Sequence, residues 1–215
     1  ILSLWSGLGY NRRALYLRKA AQVVVEKYGG RWPSDPEILR TLPGFGPYTA
    51  AAVAIFSTNR RMAAIDTNVS RVIQRVFFGT RIVQPKKLTN QAESVVPNES
   101  AVWHHALMDL GATVCISRTP RCGVCPLQNI CRAYPKILTQ PRPTKKSRQR
   151  FTDSDRFWRG NIVRLLTVQE TWTTTALRRQ LAEYGMLPKP RFERILAQLA
   201  KDGVIIKQAN TISLP

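Results

Sequence analysis

Four cysteines lie close together near the middle of the chain, at Cys115, Cys122, Cys125 and Cys131, with the spacing C-x6-C-x2-C-x5-C. Thiolates are strong ligands for soft metals, and four of them can surround either a zinc ion or an iron-sulfur cluster. Two disulfides are a further possibility, but they are rare in proteins that stay inside the cell. The residue types alone therefore predict a metal centre and leave zinc and an iron-sulfur cluster open.

A glycine-rich and proline-rich turn is a second candidate site, in the stretch LPGFGPYTAAA that begins at Leu42. Gly44 and Gly46 permit positive φ and the close approach of another backbone. Pro47 stands where a following helix begins, a position that tolerates its missing N–H. Such a turn exposes backbone amides that can hold a phosphate without reading sequence. The pattern predicts a helix-hairpin-helix, although glycine turns between helices are also common as purely structural features.

Asp66 is a third candidate, in the stretch AAIDTNVSRVIQRVF. Aspartate is a preferred N-cap residue, and the pattern predicts that a helix begins at Thr67. A capping role and a chemical role do not exclude each other, so both interpretations stay open for this residue.

The charge of the chain points to a polyanionic partner. The 215 residues include 33 Lys and Arg against 13 Asp and Glu, which gives a formal net charge of +20. This excess is larger than folding requires and is typical of nucleic-acid-binding proteins. No apolar run approaches the roughly 18 residues of a membrane-spanning helix, so we expect no membrane association. The chain starts at Ile1 without a secretory cleavage pattern, and we expect an intracellular fragment of a longer protein.

Apolar periodicity predicts the elements that must position these residues. The fold class expected is an all-α helix-hairpin-helix domain with a metal-binding loop, followed by a small winged-helix-like α+β domain. Helices are predicted at residues 15–27, 36–42, 48–57, 67–78, 100–110, 155–166, 174–184 and 189–202, with a β-hairpin after them. The domains expected are a helical domain at 1–114, with the helix-hairpin-helix at 36–57, a cysteine loop at 115–131, a basic linker at 132–154 and the winged-helix-like domain at 155–215.

These motifs together resemble the helix-hairpin-helix DNA glycosylase superfamily, in particular its endonuclease III and MutY group. The resemblance extends over residues 2–131 and includes the hairpin, the stretch I-D-T-N-V-x-R-V and the cysteine spacing. It implies that the four cysteines bind a [4Fe-4S] cluster. It also implies that Asp66 is catalytic, stabilising the positive charge that develops on the sugar as the base departs or attacking that sugar.

The residue at position 48 separates branches of that superfamily. Members that also cut the DNA strand carry a lysine there, whose amine attacks the sugar, whereas this chain has Tyr48. The resemblance therefore implies a monofunctional glycosylase, with Tyr48 in the catalytic site, that hydrolyses the N-glycosidic bond and leaves an abasic site. Tyrosine at this position is similar to both MutY-type adenine glycosylases and thymine glycosylases acting on G:T mismatches.

The stretch GLGYNRRALYLRKAA looks more like MutY, so the resemblance favours removal of adenine opposite 8-oxoguanine or guanine. The tyrosine matching Tyr10 wedges into the duplex in MutY relatives, beside the oxidised guanine. The residues expected to contact DNA are Leu8, Tyr10, Arg12, Leu42, Gly44, Gly46 and Thr49.

The chain departs from the MutY pattern in two respects. MutY relatives carry a general-acid glutamate in a helix upstream of the region that matches Ile1, so we expect this chain to lack it. The winged-helix-like region stands in place of the larger C-terminal domain of many MutY proteins.

His104 and His105 are adjacent, which places them on different faces of a helix and away from a common ligand, and we interpret them as packing or backbone-bonding residues.

The partner expected is double-stranded DNA that contains a mismatch or an oxidised guanine, bound by a monomer in the cytoplasm or nucleoid. Two alternatives remain: a thymine or uracil mismatch glycosylase of the same fold, and a non-catalytic DNA-binding protein.

Overall fold

The computed structural model describes residues 1–5, 7–140 and 150–215. It contains two compact units, one formed by Ile1–Arg31 with Lys146–Pro215 and the other by Trp32–Lys145. The helical domain predicted at 1–114 is divided between these units, because Leu2 and Ala14 join the hydrophobic core of the C-terminal helices. The basic linker predicted at 132–154 lies partly outside the described residues.

The unit Trp32–Lys145 is helical, as predicted. Its α-helices are α2 (Pro36–Arg40), α3 (Pro47–Thr58), α4 (Thr67–Ile73), α5 (Pro85–Val95) and α6 (Ser100–Thr113). A π-helical segment, Gln74–Phe78, continues directly from α4. Helix α5 was not predicted, although its two buried residues, Leu88 and Ala92, have the four-residue spacing of one helix face.

The boundaries of α3 follow from its end residues. Gly46 is the N-cap and Pro47 the first helical residue, so the missing N–H falls where no intrahelical bond is formed. Asn59 ends the helix in the left-handed conformation, with φ of 52°, and its N–H donates to carbonyl oxygens of the last turn. The helix therefore begins one residue before the prediction and ends one residue after it.

Close packing of α4 against α6 forms the centre of this unit. An added Cβ at Gly111 of α6 would lie 2.6 Å from the Cβ of Asn68 of α4, which is closer than real Cβ atoms approach. The apolar side chains Val69, Val72 and Leu107 form the core beside this crossing. Glycine at 111 therefore permits the approach that fixes the start of α4.

The other unit has the topology of a winged helix, which confirms the predicted fold class. Its elements are α1 (Arg12–Tyr28), α7 (Asp155–Val168), β1 (Thr171–Thr173), α8 (Thr174–Leu181), α9 (Lys189–Lys201), β2 (Ile206–Gln208) and β3 (Thr211–Ser213). The three strands form an antiparallel sheet in the order β1-β3-β2. Trp172 and Lys207 both pair with Ile212 of the central strand.

The strand β1 was not predicted, because three residues directly before a helix carry no detectable alternation. The core of this unit is built from the apolar faces of α7, α8 and α9, with Trp158, Leu177 and Phe192 almost completely buried. Ile212 of the sheet closes the same core. None of the helices in the described ranges combines the length and apolar character that crossing a membrane requires.

Candidate active site and iron-sulfur loop

Asp66 is the N-cap of α4, as the sequence predicts. Its Oδ1 accepts a hydrogen bond of 2.6 Å from the N–H of Val69, and its backbone is extended. Among the described residues, no donor reaches Oδ2. Capping therefore fixes the orientation of the carboxylate with one oxygen and leaves the other for chemistry.

The segment that leads into Asp66 is held by side chains from α5 and α6. The N–H of Ala63 donates to Glu93 Oε1 at 2.9 Å, and the N–H of Ala64 donates to His104 Nε2 at 2.9 Å. Ser100 Oγ donates to the carbonyl oxygen of Met62 at 3.3 Å. Three contacts over three successive residues therefore fix the backbone just before the carboxylate.

His104 is the central residue of this support. Because its Nε2 accepts from Ala64, its proton lies on Nδ1, which donates to the carbonyl oxygen of Ser100 at 2.7 Å. Burial lowers the pKa of His104 and outweighs the contacts that raise it, so the ring is neutral near pH 7. The ring of His105 instead lies 4.5 Å from the ring of Phe56. The interpretation of the two histidines as packing and backbone-bonding residues is confirmed.

Tyr48 lies in the first turn of α3 and is electrostatically coupled to Asp66. Burial raises the pKa of the Tyr48 phenol, and the negative charge of Asp66 raises it further. The side chain remains 40 % exposed. A phenol in these surroundings stays protonated at neutral pH and can donate a hydrogen bond.

The hairpin before Tyr48 is a tight backbone turn that leads directly into α3. Gly44 has φ of 82°, and the N–H of Phe45 donates to the carbonyl oxygen of Leu42 at 3.1 Å. The first-turn amides of α3, including that of Thr49, have no intrahelical acceptor. Leu42 is only 2 % exposed, so a DNA contact at this residue would involve its backbone rather than its side chain.

The four cysteines line one small cavity together with Tyr134. Burial and the three neighbouring thiols raise the pKa of Cys122, whereas the positive charge of Arg75 acts to lower it. In the described part of the chain, no three His, Cys, Asp or Glu side chains converge on a single metal-ion position. Four thiolates around one cavity are a donor set that fits an iron-sulfur cluster, in which each thiolate binds a different iron.

Two arginines that the sequence analysis did not assign hold the cysteine loop. Arg75 donates to the carbonyl oxygens of Ile116 and Ser117 at 2.9 and 2.8 Å, and its Nη1 lies 3.3 Å from Cys115 Sγ. Arg71, one helical turn earlier, donates to the carbonyl oxygens of Cys115 and Gly111. The only sequence signal for this role is the four-residue spacing of the two arginines on one helix face.

The remaining predicted DNA contacts lie in the other unit. Leu8 and Tyr10 are each 63 % exposed, and Tyr10 has φ of 50°. The guanidinium of Arg156 lies 4.3 Å from the centre of the Tyr10 ring. Arg12 forms an ion pair of 3.6 Å with Asp202, so part of its charge is engaged within the protein.

Comparison with known proteins assigns this arrangement to a family. Residues 1–98 match the HhH-GPD superfamily of base excision DNA repair proteins, and residues 115–131 match the iron-sulfur binding domain of endonuclease III. The adenine DNA glycosylase of Mycolicibacterium smegmatis is 38% identical over 214 residues, which cover 98% of this chain and 71% of that protein. This chain belongs to the HhH-GPD superfamily.

Solved structures of the same superfamily support this assignment. A thermostable thymine-DNA glycosylase is 37% identical, with a TM-score of 0.54 and coverage of 59% of this chain and 60% of that chain. A non-covalent endonuclease III–DNA complex is 30% identical, with a TM-score of 0.53 and coverage of 62% and 63%. The chain thus spans about three fifths of each solved structure. The predicted resemblance, fold class and iron-sulfur cofactor are confirmed.

Proposed function

We propose that this protein is a monofunctional DNA glycosylase that hydrolyses the N-glycosidic bond of adenine opposite guanine or 8-oxoguanine. The observation that carries the proposal is the pairing of Asp66, which keeps one carboxylate oxygen available, with a protonated Tyr48 beside a helix-hairpin-helix turn. A monomer bound to duplex DNA is sufficient for this reaction.

Asp66 acts on the sugar in this mechanism. Departure of the base leaves an oxocarbenium-like sugar, and a fixed carboxylate stabilises that positive charge or attacks it to give a covalent intermediate. The hydrogen bond from Val69 and the contacts at Ala63 and Ala64 hold the carboxylate in place before the substrate binds. Electrostatic stabilisation requires such preorganisation.

Tyr48 determines how the reaction ends. A lysine at this position could form a Schiff base with the sugar and so lead to strand cleavage, but a phenol cannot. A phenol is protonated at neutral pH, and burial and the charge of Asp66 raise the pKa of Tyr48 further, so Tyr48 can donate a hydrogen bond to the substrate near the carboxylate. The reaction is therefore expected to stop at the abasic site.

The turn and the cysteine loop bind rather than react. Gly44 and the free amides of the first turn of α3 hold a DNA phosphate without reading its base. The four cysteines would hold the cluster, which would offset part of the negative charge of the thiolates and fix the shape of their loop. Arg75 connects that loop to α4, the helix that Asp66 caps.

We favour adenine over thymine as the excised base because of how much of the chain each relative covers. The adenine DNA glycosylase of M. smegmatis aligns with 98% of this chain, including the winged-helix unit, whereas the thymine-DNA glycosylase structure covers 59% of it. Excision of thymine or uracil from G:T or G:U pairs remains the second candidate, since Tyr48 is compatible with both activities.

Single-turnover excision from A:8-oxoguanine, A:G, G:T and G:U duplexes tests the proposal. The duplexes are incubated with full-length protein and analysed with and without alkali, which cleaves abasic sites. We expect a product from the adenine duplexes that appears only after alkali. Strand cleavage without alkali would contradict the role of Tyr48, and excision from the G:T and G:U duplexes alone would establish the second candidate.

A further inference from the structure

One ionisable side chain is buried close to the candidate active site. Among the described polar and charged residues, only Asn11, Ser100 and His104 are buried, and of these only His104 can change its charge. It lies on α6 and is 1% exposed. An aliphatic side chain would fill the same space without the free-energy cost of removing an imidazole from water. The presence of histidine therefore points to a use of its ring nitrogens.

Both ring nitrogens of His104 bond to backbone groups. Nε2 accepts from the N–H of Ala64 at 2.9 Å, and Nδ1 lies 2.7 Å from the carbonyl oxygen of Ser100, one helical turn earlier. Only the neutral ring with its proton on Nδ1 satisfies both bonds, because a proton on Nε2 would place two donors against each other. The arrangement therefore requires one tautomer of the neutral ring.

The groups around the ring act on its charge in opposite directions. Burial lowers the pKa of His104, and the neighbouring His105 of α6 lowers it further. The Ser100 carbonyl, Glu93 of α5 and the carboxylate of Asp66 raise it, but burial outweighs them. At the ordinary histidine pKa of 6.5, most of the His104 ring is therefore still neutral and able to accept from Ala64.

The amide of Ala64 depends on His104. Ala64 is 3% exposed, and among the described residues its N–H has no other acceptor. A buried amide without an acceptor is costly, so loss of the imidazole would force the backbone to move. The adjacent N–H of Ala63 bonds to Glu93, whose side chain is exposed and can be replaced by water. His104 is thus the buried anchor of this segment.

This anchor lies two residues before Asp66. On its other side, Asp66 is fixed by the N–H of Val69, which donates to Oδ1 at 2.6 Å. The chain is therefore held both before and after the carboxylate, and the bond to His104 supplies the buried contact on the preceding side. A small displacement of a catalytic group by a change elsewhere in a protein can cost about 100-fold in rate.

We propose that His104 is a positioning residue for base excision: its neutral ring, protonated on Nδ1, holds the Ala64 amide and thereby sets the orientation of the Asp66 carboxylate. The inference rests on the proposed function, since it takes Asp66 as the group that acts on the sugar. Of the two bonds, the one from Ala64 to Nε2 governs the rate, and the one to Ser100 selects the tautomer.

Three substitutions separate the two bonds. Glutamine reaches about as far as Nε2 and can accept from Ala64, asparagine ends near Nδ1 and cannot reach Ala64, and leucine fills the space without forming either bond. The variants are therefore His104→Gln, His104→Asn and His104→Leu. The same three substitutions at His105 are the matched controls, because this neighbouring histidine is exposed and its ring lies against Phe56.

Single-turnover excision is measured on the duplex that the unmodified protein cleaves, and binding on a duplex with an abasic-site analogue. We expect the rate to fall by about 100-fold in His104→Leu and His104→Asn and by less than about 5-fold in His104→Gln. Binding should stay within about 3-fold in all three, because the carboxylate acts on the reaction rather than on affinity. The His105 variants should cleave at the unmodified rate.

Amide hydrogen exchange tests the positioning without an excision step. The Ala64 amide reports its bond to Nε2, and the Val69 amide reports its bond to the Asp66 carboxylate. We expect both amides to exchange at least about tenfold faster in His104→Leu and His104→Asn, but near the unmodified rate in His104→Gln. Nitrogen NMR of the unmodified protein at pH 6.5 should show Nε2 without a proton.

Equal excision rates in His104→Gln and His104→Leu would overturn the inference, as would faster exchange at Ala64 with none at Val69, or a proton on Nε2. Thermal melting identifies a variant that does not fold, and the comparison of His104→Gln with His104→Asn then decides. If the unmodified protein removed no base from any duplex, the proposed function would fail, and the exchange rates at Ala64 and Val69 would still decide whether His104 positions the carboxylate.

Discussion

The negative charge of Asp66 raises the pKa of the Tyr48 phenol, which shows that the cap of α4 and the first turn of α3 share one electrostatic environment. The sequence indicates the two residues through separate motifs. Because the two side chains are coupled, a substitution at one is expected to affect the other, and single substitutions distinguish their roles.

Replacement of Asp66 by Asn should abolish excision without unfolding the protein. Asparagine is as good an N-cap as aspartate, so the hydrogen bond from Val69 is retained while the negative charge is lost. We expect the single-turnover rate to fall by at least about 100-fold. Asp66→Ala, which also removes the cap, should additionally lower the stability by about 1 kcal/mol in urea unfolding. Full activity of Asp66→Asn would contradict the assignment.

The same substitution should lower the pKa of Tyr48. In the unmodified protein this pKa is raised by burial and by Asp66, so the native state favours the protonated phenol. The resulting stability is fully present below the ordinary tyrosine pKa of 10.0 and is lost as the pH rises through the raised native value. Tyr48→Phe should remove this alkaline loss, measured as urea unfolding across that pH range. Tyr28→Phe, at a partly exposed tyrosine of α1, is the control.

How much of this site the sequence can predict depends on how local each feature is. The cysteine spacing, the glycine turn and the N-cap at Asp66 are each contained in a short stretch, so their positions could be inferred before the fold was known. Arg75 could not be assigned, because its acceptors at Ile116 and Ser117 are about 40 residues away in the chain and no local pattern connects them.

The same limit applies to the fold. The winged-helix unit was predicted from its helical periodicity and its C-terminal hairpin, but β1, a strand of three residues directly before α8, was not predicted. Ala14 of α1 packs into the core of α7, α8 and α9, more than 140 residues further along the chain. Such packing depends on shape complementarity that single-sequence patterns do not encode.

Removal of Arg75 should weaken retention of the iron-sulfur cluster. This arginine donates to two carbonyl oxygens of the cysteine loop and contacts Cys115 Sγ, so it orients a ligand without being one. Substitutions of such supporting residues typically cost 10- to 100-fold in metal affinity. We expect Arg75→Ala to lose its visible absorption at least about tenfold faster in the presence of an iron chelator. Arg118→Ala, at an exposed arginine of the same loop, should behave as the unmodified protein.

Asp202 should contribute acid-sensitive stability to the winged-helix unit. Burial opposes ionisation of this carboxylate, but its hydrogen bonds from Arg159 and Gln198 and the nearby Arg12 prevail and lower its pKa. The stabilisation is therefore present above the ordinary aspartate pKa of 3.8 and is lost as the pH falls through the lower native value. Asp202→Asn should cost about 2 kcal/mol at pH 7 and much less near pH 3.

Urea unfolding at the two pH values measures this difference, with Glu183→Gln as a control at an exposed carboxylate of the same unit. A cost that is equal at both pH values would show that Asp202 acts through packing rather than through its charge. The side chain is only 7% exposed, so solvent screening of its interaction with Arg159 is limited.

Substitution of Gly111 by Ala should disturb the active site from a distance. The added methyl group would lie 2.6 Å from Asn68 Cβ, and neither backbone can yield without separating α6 from α4. We expect a loss of about 1–3 kcal/mol in stability, as in other overpacked cores, together with slower excision because α4 carries Asp66 at its start. Ala112→Ser, at the exposed neighbouring position of α6, should change neither quantity. If Gly111→Ala lowered stability while single-turnover excision stayed at the unmodified rate, the packing of α4 against α6 would support the fold without positioning the carboxylate.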